Sequence, residues 1–327
     1  MPVSRRSFLL TLAAAPLAAR AGLAGAQEAY PSRALRLVVP YPPGGLTDVL
    51  GRAMAERLSK ALGQPVVVEN KPGAATLIGA DMVAKSPADG YTLLLATSTT
   101  FGIAPAVYAR VPIDPVRDFQ HVSLIGTVNF FLIGSRKFPA KTLGDVIALI
   151  KANPGKFNYA SVGNGSAHHL YMEDLKKRLG LDIQHVPYKG TQAALLDLIP
   201  GKVQIMFCDA AVAVGQIKSG KVNVYGTSAA KQNTLLPQVA PIASTVPGFD
   251  WQAWQGISVP AATPAPVVAR LSSEMQKFQN TPEFHKFLAR IGMEPWAPNT
   301  PADYARLVKN DMGRWADAVR AAGARIE

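Results

Sequence analysis

Pro40-Tyr41-Pro42-Pro43-Gly44-Gly45-Leu46-Thr47-Asp48 stands between two segments of different periodicity. Before it, Leu35-Arg36-Leu37-Val38-Val39 is a short apolar run that reads as a buried strand. After it, Leu46, Leu50, Met54, Leu58 and Leu62 recur on one helical face. The order is strand, glycine turn, helix. The prolines stop the strand and the glycines permit φ > 0 and close backbone approach. The helix start then presents unpaired N–H groups at its positive dipole end. Such a turn is a candidate anion seat. It is equally an ordinary strand-to-helix turn of an α/β sheet, and both readings stay open on this segment alone.

The chain around this stretch is built for export. It begins Met1-Pro2-Val3-Ser4-Arg5-Arg6-Ser7-Phe8-Leu9-Leu10 and runs through alanine-rich apolar sequence to the small-x-small pattern Ala24-Gly25-Ala26. Arg5-Arg6, flanked by Ser4 and Phe8-Leu9, resembles a twin-arginine signal, with a Sec signal as the alternative. Pro16 and Arg20 interrupt the apolar run, which is too short to span a membrane. No cysteine stands near the cleavage point to carry a lipid, so the mature product is expected in the periplasm. Cleavage after Ala26 leaves about 300 of the 327 residues, long for one compact lobe and suited to two.

The signal removes Arg5, Arg6 and Arg20 and no acid, so the mature chain remains basic, starting from +12 for the whole sequence. Its densest basic cluster, Lys176-Lys177-Arg178, falls at a helix end, where cations suit the dipole. Aromatic interleaving and basic stripes are missing, which argues against nucleic acid as a partner. Cys208 is the single cysteine and lies in the apolar run from Val203 to Phe207 and beyond, so it reads as a small buried hydrophobe.

Strands and helices alternate from Ala34 onward. Pro65 to Glu69, Leu77 to Lys85 and Tyr91 to Ala96 give the βαβ rhythm of a mostly parallel sheet, with Thr97-Ser98-Thr99-Thr100 at a strand's carboxyl end. Val122 to Ile125 and Phe130 to Ile133 read as further strands, and a second α/β series follows. There Phe157-Asn158-Tyr159-Ala160 leads into Ser161-Val162-Gly163-Asn164-Gly165-Ser166 and then a helix through Leu170, Leu175 and Leu179. This repeats the plan of the opening stretch. Val203 to Phe207 is a strand with Asp209 at its end, residues 238–255 are irregular, and Ile257-Ser258-Val259 is a short strand before three tail helices. Thr263-Pro264, Thr281-Pro282 and Thr300-Pro301 mark the helix starts.

Enzyme chemistry fits poorly. His121, His185 and His285 are scattered, and no Gly-x-Ser-x-Gly elbow surrounds Ser166. Gly163-Asn164-Gly165 is only part of a dinucleotide fingerprint, so no cofactor is expected. A binding module accounts for the same residues. Two glycine-rich helix starts, facing each other across a cleft, could each hold a carboxylate through backbone N–H groups and hydroxyls.

Six ordered segments carry a resemblance over essentially the whole mature chain. They are Pro42-Pro43-Gly44-Gly45 with Asp48, Val68-Glu69-Asn70-Lys71-Pro72-Gly73-Ala74, Asp89-Gly90-Tyr91-Thr92-Leu93, Asn153-Pro154-Gly155-Lys156, Ser161 to Leu170, and His185-Val186-Pro187-Tyr188-Lys189-Gly190. Together they resemble the Bug family, the extracytoplasmic solute receptors of tripartite tricarboxylate transporters. The resemblance implies a type II periplasmic-binding-protein fold, α/β, with two lobes around a ligand cleft joined by two crossing strands near Leu124 to Ile133 and Trp254 to Val259. Residues 27–125 and 257–327 would form lobe 1 and residues 126–256 lobe 2.

It also implies ligand contacts from Gly44, Gly45 and Asp48, from Ser98, and from Ser161, Asn164, Gly165 and Ser166. Asp209 is a further candidate with a helix cap as its alternative. The implied ligand is a small carboxylate and the implied partners are the membrane components of a tripartite transporter, with the receptor acting as a monomer. A same-fold receptor that signals to a membrane sensor, and a secreted hydrolase using Ser166, are the alternatives. One departure concerns the loop before the second helix. Family members carry Gly-Ala-Gly-Gly there, and this chain has Gly73-Ala74-Ala75-Thr76.

Overall fold

The computed structural model describes residues 30–296 and 300–325, so the export signal over residues 1–26 lies outside the described residues. β1 (Leu35–Val39), β2 (Val66–Asn70) and β3 (Thr92–Thr97) pair in parallel, with Leu37 opposite both Val68 and Leu93. Helices α1 (Leu46–Leu62) and α2 (Leu77–Ala84) are the crossovers that parallel pairing requires. After β3 a π-helical turn, Thr99–Ile103, runs into the short α3 (Ala104–Val107), and β4 (Phe119–Val128) follows. Leu93, Leu94, Leu95 and Ala96 are all fully enclosed, because this sheet is covered on both faces.

The chain enters a second sheet at once. β5 (Phe130–Ser135) begins one residue after β4 ends, and α4 (Leu143–Ala152), β6 (Asn158–Ser161), α5 (Ala167–Leu179), β7 (Gln184–Pro187), α6 (Thr191–Leu198), β8 (Ile205–Asp209), α7 (Ala210–Lys218) and β9 (Val222–Thr227) complete the lobe. Its strand order is β7-β6-β8-β5-β9. The chain then returns through β10 (Ala253–Pro260), α8 (Ala265–Gln279), α9 (Pro282–Arg290), β11 (Met293–Pro295) and α10 (Pro301–Ala322). With β10 and β11 added antiparallel, the first sheet reads β11-β4-β10-β3-β1-β2.

The two passages between sheets differ in form. The first is Asn129 alone, between paired residues Val128 and Phe130. In the second, residues 228–252 make an excursion from the end of β9 before β10 starts. Its two ends are held together, since Trp251 N donates to Ser228 O at 2.9 Å and Ser228 N donates to Phe130 O at 2.8 Å. Gly126 to Val128 and Ala253 to Gly256 pair within the first sheet, so the sheets exchange later and return earlier than the boundaries at residues 125 and 257. The strand signal at Ile257-Ser258-Val259 is short because β10 is buried on both faces from Trp254 onward and shows no alternation, and the two bulges in its pairing with β4 fall on β4, at Ile125 and Val122.

The last helix ties the lobes together. α10 packs on β4 and the π-turn of the first lobe and on α5 of the second. Trp315 stacks 5.9 Å from Tyr171 and 4.8 Å from Trp251, and the indole N–H groups of Trp254 and Trp315 both donate to Asp311 Oδ2 at 2.8 Å. The rest of the tail stays with the first lobe, where β11 pairs with β4 and α8 packs on β4 and α1, and α10 alone of its helices reaches across to the second. No helix among the described residues is long and apolar enough to cross a membrane.

Candidate functional site

A cleft of about 1020 Å³ opens between the lobes. Its first wall is the turn from β1 to α1. Gly44 holds φ at +86°, a conformation that a side chain disfavours, and Gly45 caps α1 with no side-chain acceptor on the helix. Gly44, Gly45, Leu46 and Thr47 line the cleft, so the uncapped first turn of α1 faces it. Asp48 is spent holding this shape. It accepts from Gly44 N at 2.9 Å, Arg52 Nε at 3.0 Å and Asn70 Nδ2 at 2.9 Å. Burial raises its pKa, yet these bonds outweigh burial and hold the carboxyl below the usual range. Asp48 does not line the cleft, so its place is behind the seat and not in it.

The hydroxyl cluster stands beside this turn. Tyr41 Oη lies 3.2 Å from Thr97 Oγ1, which lies 3.2 Å from Thr100 Oγ1, and Ser98 lines the cleft with Thr97 and Thr99. Ala75 lines it as well. Ala74, Ala75 and Thr76 have φ of 44°, 47° and 81°, so the backbone keeps a left-handed path where the sequence departs from glycine. Each such residue costs on the order of 1 kcal/mol.

The second wall begins at the end of β6. Ser161 Oγ contacts His185 Nε2 at 2.6 Å and accepts from Gly163 N at 3.1 Å. His185 stacks at 4.1 Å on His169, whose Nδ1 accepts from Gly165 N at 3.1 Å. Ser161 thus braces the loop from beneath and is absent from the lining, whereas Asn164, Gly165 and Ser166 reach it. Ser166 caps α5, accepting from His169 N at 3.3 Å, and donates to Gly163 O at 2.7 Å. Its hydroxyl proton is thus committed to the Gly163 carbonyl.

Two more helix starts reach this wall. Lys189-Gly190-Thr191-Gln192-Ala193 lines the cleft at the start of α6, and Gly190 leaves that helix without a side-chain cap. Asp209, Ala211 and Val212 line it at the start of α7, which Asp209 caps through Oδ1 to Val212 N at 3.3 Å. Burial raises the Asp209 pKa, against the opposing bonds from Val212 and Thr191. In the sequence Lys189 stood only within a family-like segment and was not among the expected ligand contacts. The signal was Lys189-Gly190-Thr191, the same glycine-before-helix pattern as Gly45.

Four helix starts therefore converge on one space. Those of α1 and α6, from opposite lobes, carry no side-chain cap, and the dipole and unpaired N–H groups there favour anions. Among the described residues no group of three or more metal-binding side chains is clustered.

Residues 50–324 match the profile of the "Tripartite tricarboxylate transporter family receptor". The chain belongs to this family. The Bug relationship is direct, since BugT of Bordetella pertussis is 33% identical over 94% of this chain and 96% of its own length. An R. palustris protein solved with adipate is 32% identical, with a TM-score of 0.80 over 91% of this chain and 100% of that one. MatC from Rhodopseudomonas palustris, solved with bound malate, is 31% identical, with a TM-score of 0.75 over 89% of this chain and 100% of that one. The two α/β lobes are those of a periplasmic binding protein, and members of the tripartite receptor family are solute-binding receptors and not enzymes. The hydrolase alternative built on Ser166 is thereby set aside.

Proposed function

We propose that the chain captures a small carboxylate in the periplasm, closes its lobes on it and delivers it to the membrane components of a tripartite transporter. The observation that carries this is the pair of uncapped helix starts, α1 and α6, lining one cleft from opposite lobes. One carboxylate at each would receive backbone N–H donors without a salt-bridging arginine. Gly44, Gly45 and Ser98 would contact the ligand from the first lobe, and Asn164, Gly165, Ser166 and Lys189 from the second. Adipate and malate in the related structures agree with a diacid. Contacts from both walls stabilise the closed state, so binding and closure are one equilibrium.

Titration calorimetry of the purified mature chain against C4 to C6 diacids, aromatic acids and neutral sugars tests this reading. Saturable 1:1 binding of diacids is the expected result; binding of sugars alone would remove it. Export through the twin-arginine route rests on Arg5-Arg6. Replacing both by lysine is expected to abolish periplasmic accumulation, and normal accumulation would assign the signal to Sec. The cleft is complete within one chain, which supports a monomer; light scattering after size exclusion checks it.

A further inference from the structure

The second wall carries acceptors as well as anion seats. Asp209 Oδ1 serves as the α7 cap, but Oδ2 receives only a long 3.4 Å contact from Thr191 Oγ1. Facing it at 3.9 Å, beyond hydrogen-bond reach, is His168 Nε2, a buried nitrogen with no partner. Both residues line the cleft, His168 is 8% exposed, and its ring is fixed edge-on to Phe130 at 5.0 Å. Across the cleft, Gln255 on β10 is 4% exposed and its Oε1 likewise has no partner.

Lobe closure removes water from these atoms. A plain diacid would leave Asp209 Oδ2 desolvated beside a second negative charge with only the long Thr191 contact to support it, which is the costly outcome for a buried carboxylate. A nitrogen set to the side of the gap can lie within hydrogen-bond distance of both Oδ2 and Nε2, because two ordinary bonds meeting at roughly a right angle span 3.9 Å. The imidazole is neutral at pH 7, since burial pushes it down to about 4, so it can accept.

The geometry points to Asp209 and His168 as a subsite for a ligand ammonium, which makes the solute an amino-carboxylate. This rests on the carboxylate-receptor reading above and narrows it. Helix starts of α1 and α6 hold the carboxylates, while Asp209 supplies the counter-charge that those positive ends lack. Specificity then comes from an unpaired acceptor that rejects ligands without the donor, a stronger filter than apolar shape.

Calorimetry with length-matched sets tests it: succinate, malate and aspartate; glutarate, 2-hydroxyglutarate and glutamate; adipate and 2-aminoadipate. Within the best-fitting length the amino acid is expected to bind at least about tenfold tighter than the unsubstituted diacid, the weight of one charge-assisted bond. Asp209→Asn keeps a capping oxygen for α7 and is expected to bring that ratio close to one. His168→Phe keeps the ring packing, removes Nε2 and is expected to narrow the ratio as well. Diacids that bind as tightly as their amino counterparts, or a ratio unchanged in both variants, would overturn the subsite and leave the carboxylate receptor standing. Failure of every acid to bind would remove both.

Discussion

Asp48 shows how a buried charge can shape the wall of a cleft that it does not line. Its carboxylate gathers Gly44 N, Arg52 and Asn70, and so fixes the turn whose other face is the cleft. Gly45 is its complement on the open side. A Cβ there would meet no atom within 4 Å, and the residue sits in extended backbone that any side chain tolerates. Gly45→Val should therefore fold normally and fill the seat, weakening the best carboxylate ligand by at least about tenfold, or ~1.4 kcal/mol; unchanged affinity by calorimetry would move the ligand elsewhere. Ala75 tests the opposite case. At φ 47° it pays for a conformation that glycine adopts freely, so Ala75→Gly should raise stability by about 1 kcal/mol in denaturant unfolding. A loss of stability would show that the Cβ contacts of Ala75 outweigh its backbone strain.

At the scale of elements, the helix starts and the hinge set the site. α10 reaches the hinge through Trp315, which lies over Gly102 in the π-turn of the first lobe. A Cβ at Gly102 would fall 2.2 Å from Trp315 Cδ1, so Gly102→Ala should displace the indole and disturb its packing on Tyr171 and Trp251. Overpacking of this kind costs roughly 1 to 3 kcal/mol. Thermal unfolding should register it, and an unshifted midpoint would show that the π-turn yields instead. The parallel series was legible in sequence because Leu35 to Val39 and the Leu46 to Leu62 face have clean periods, and the two glycine loops because glycine, hydroxyl and helix start stand together. β11 is too short to show a period, β10 is buried on both faces and so shows no alternation, and α10 gives no local sign that it reaches both lobes. The direction of a polar side chain was equally hidden. Ser161 and Asn164 share one loop, yet only the register of β6 with β7 and the stacked His169–His185 pair turn Ser161 inward.

At the scale of the molecule, neutral histidines enclosed in both lobes set its response to acid. His121 in the first lobe and His168 in the second are each brought down by burial to about 4, and half-buried His185 to about 4 by burial and then by the nearby His169. In the unfolded chain all three titrate near the ordinary value of 6.5. Above that pH neither state is protonated and they leave stability unchanged. Between about 6.5 and 4 the unfolded chain binds protons that the folded chain refuses, so stability falls as acid is added. Below about 4 the folded chain takes them too and this loss levels off. The enclosed imidazoles of His121 and His168 should each contribute a loss on the order of a few kcal/mol, and His185 less because solvent screens it. Ligand-free protein followed by denaturant unfolding from pH 7.5 to 3.5 should show this decline, well above the range in which Asp48 and Asp118, both lowered, lose their bonds. His121→Gln, remote from the cleft, should flatten the slope by close to one proton's worth, about 1.4 kcal/mol per pH unit. A profile level from pH 6.5 to 4, or a slope unaltered by that substitution, would mean that the enclosed imidazoles are protonated in the folded state and that the lobes do not exclude charge as their packing implies.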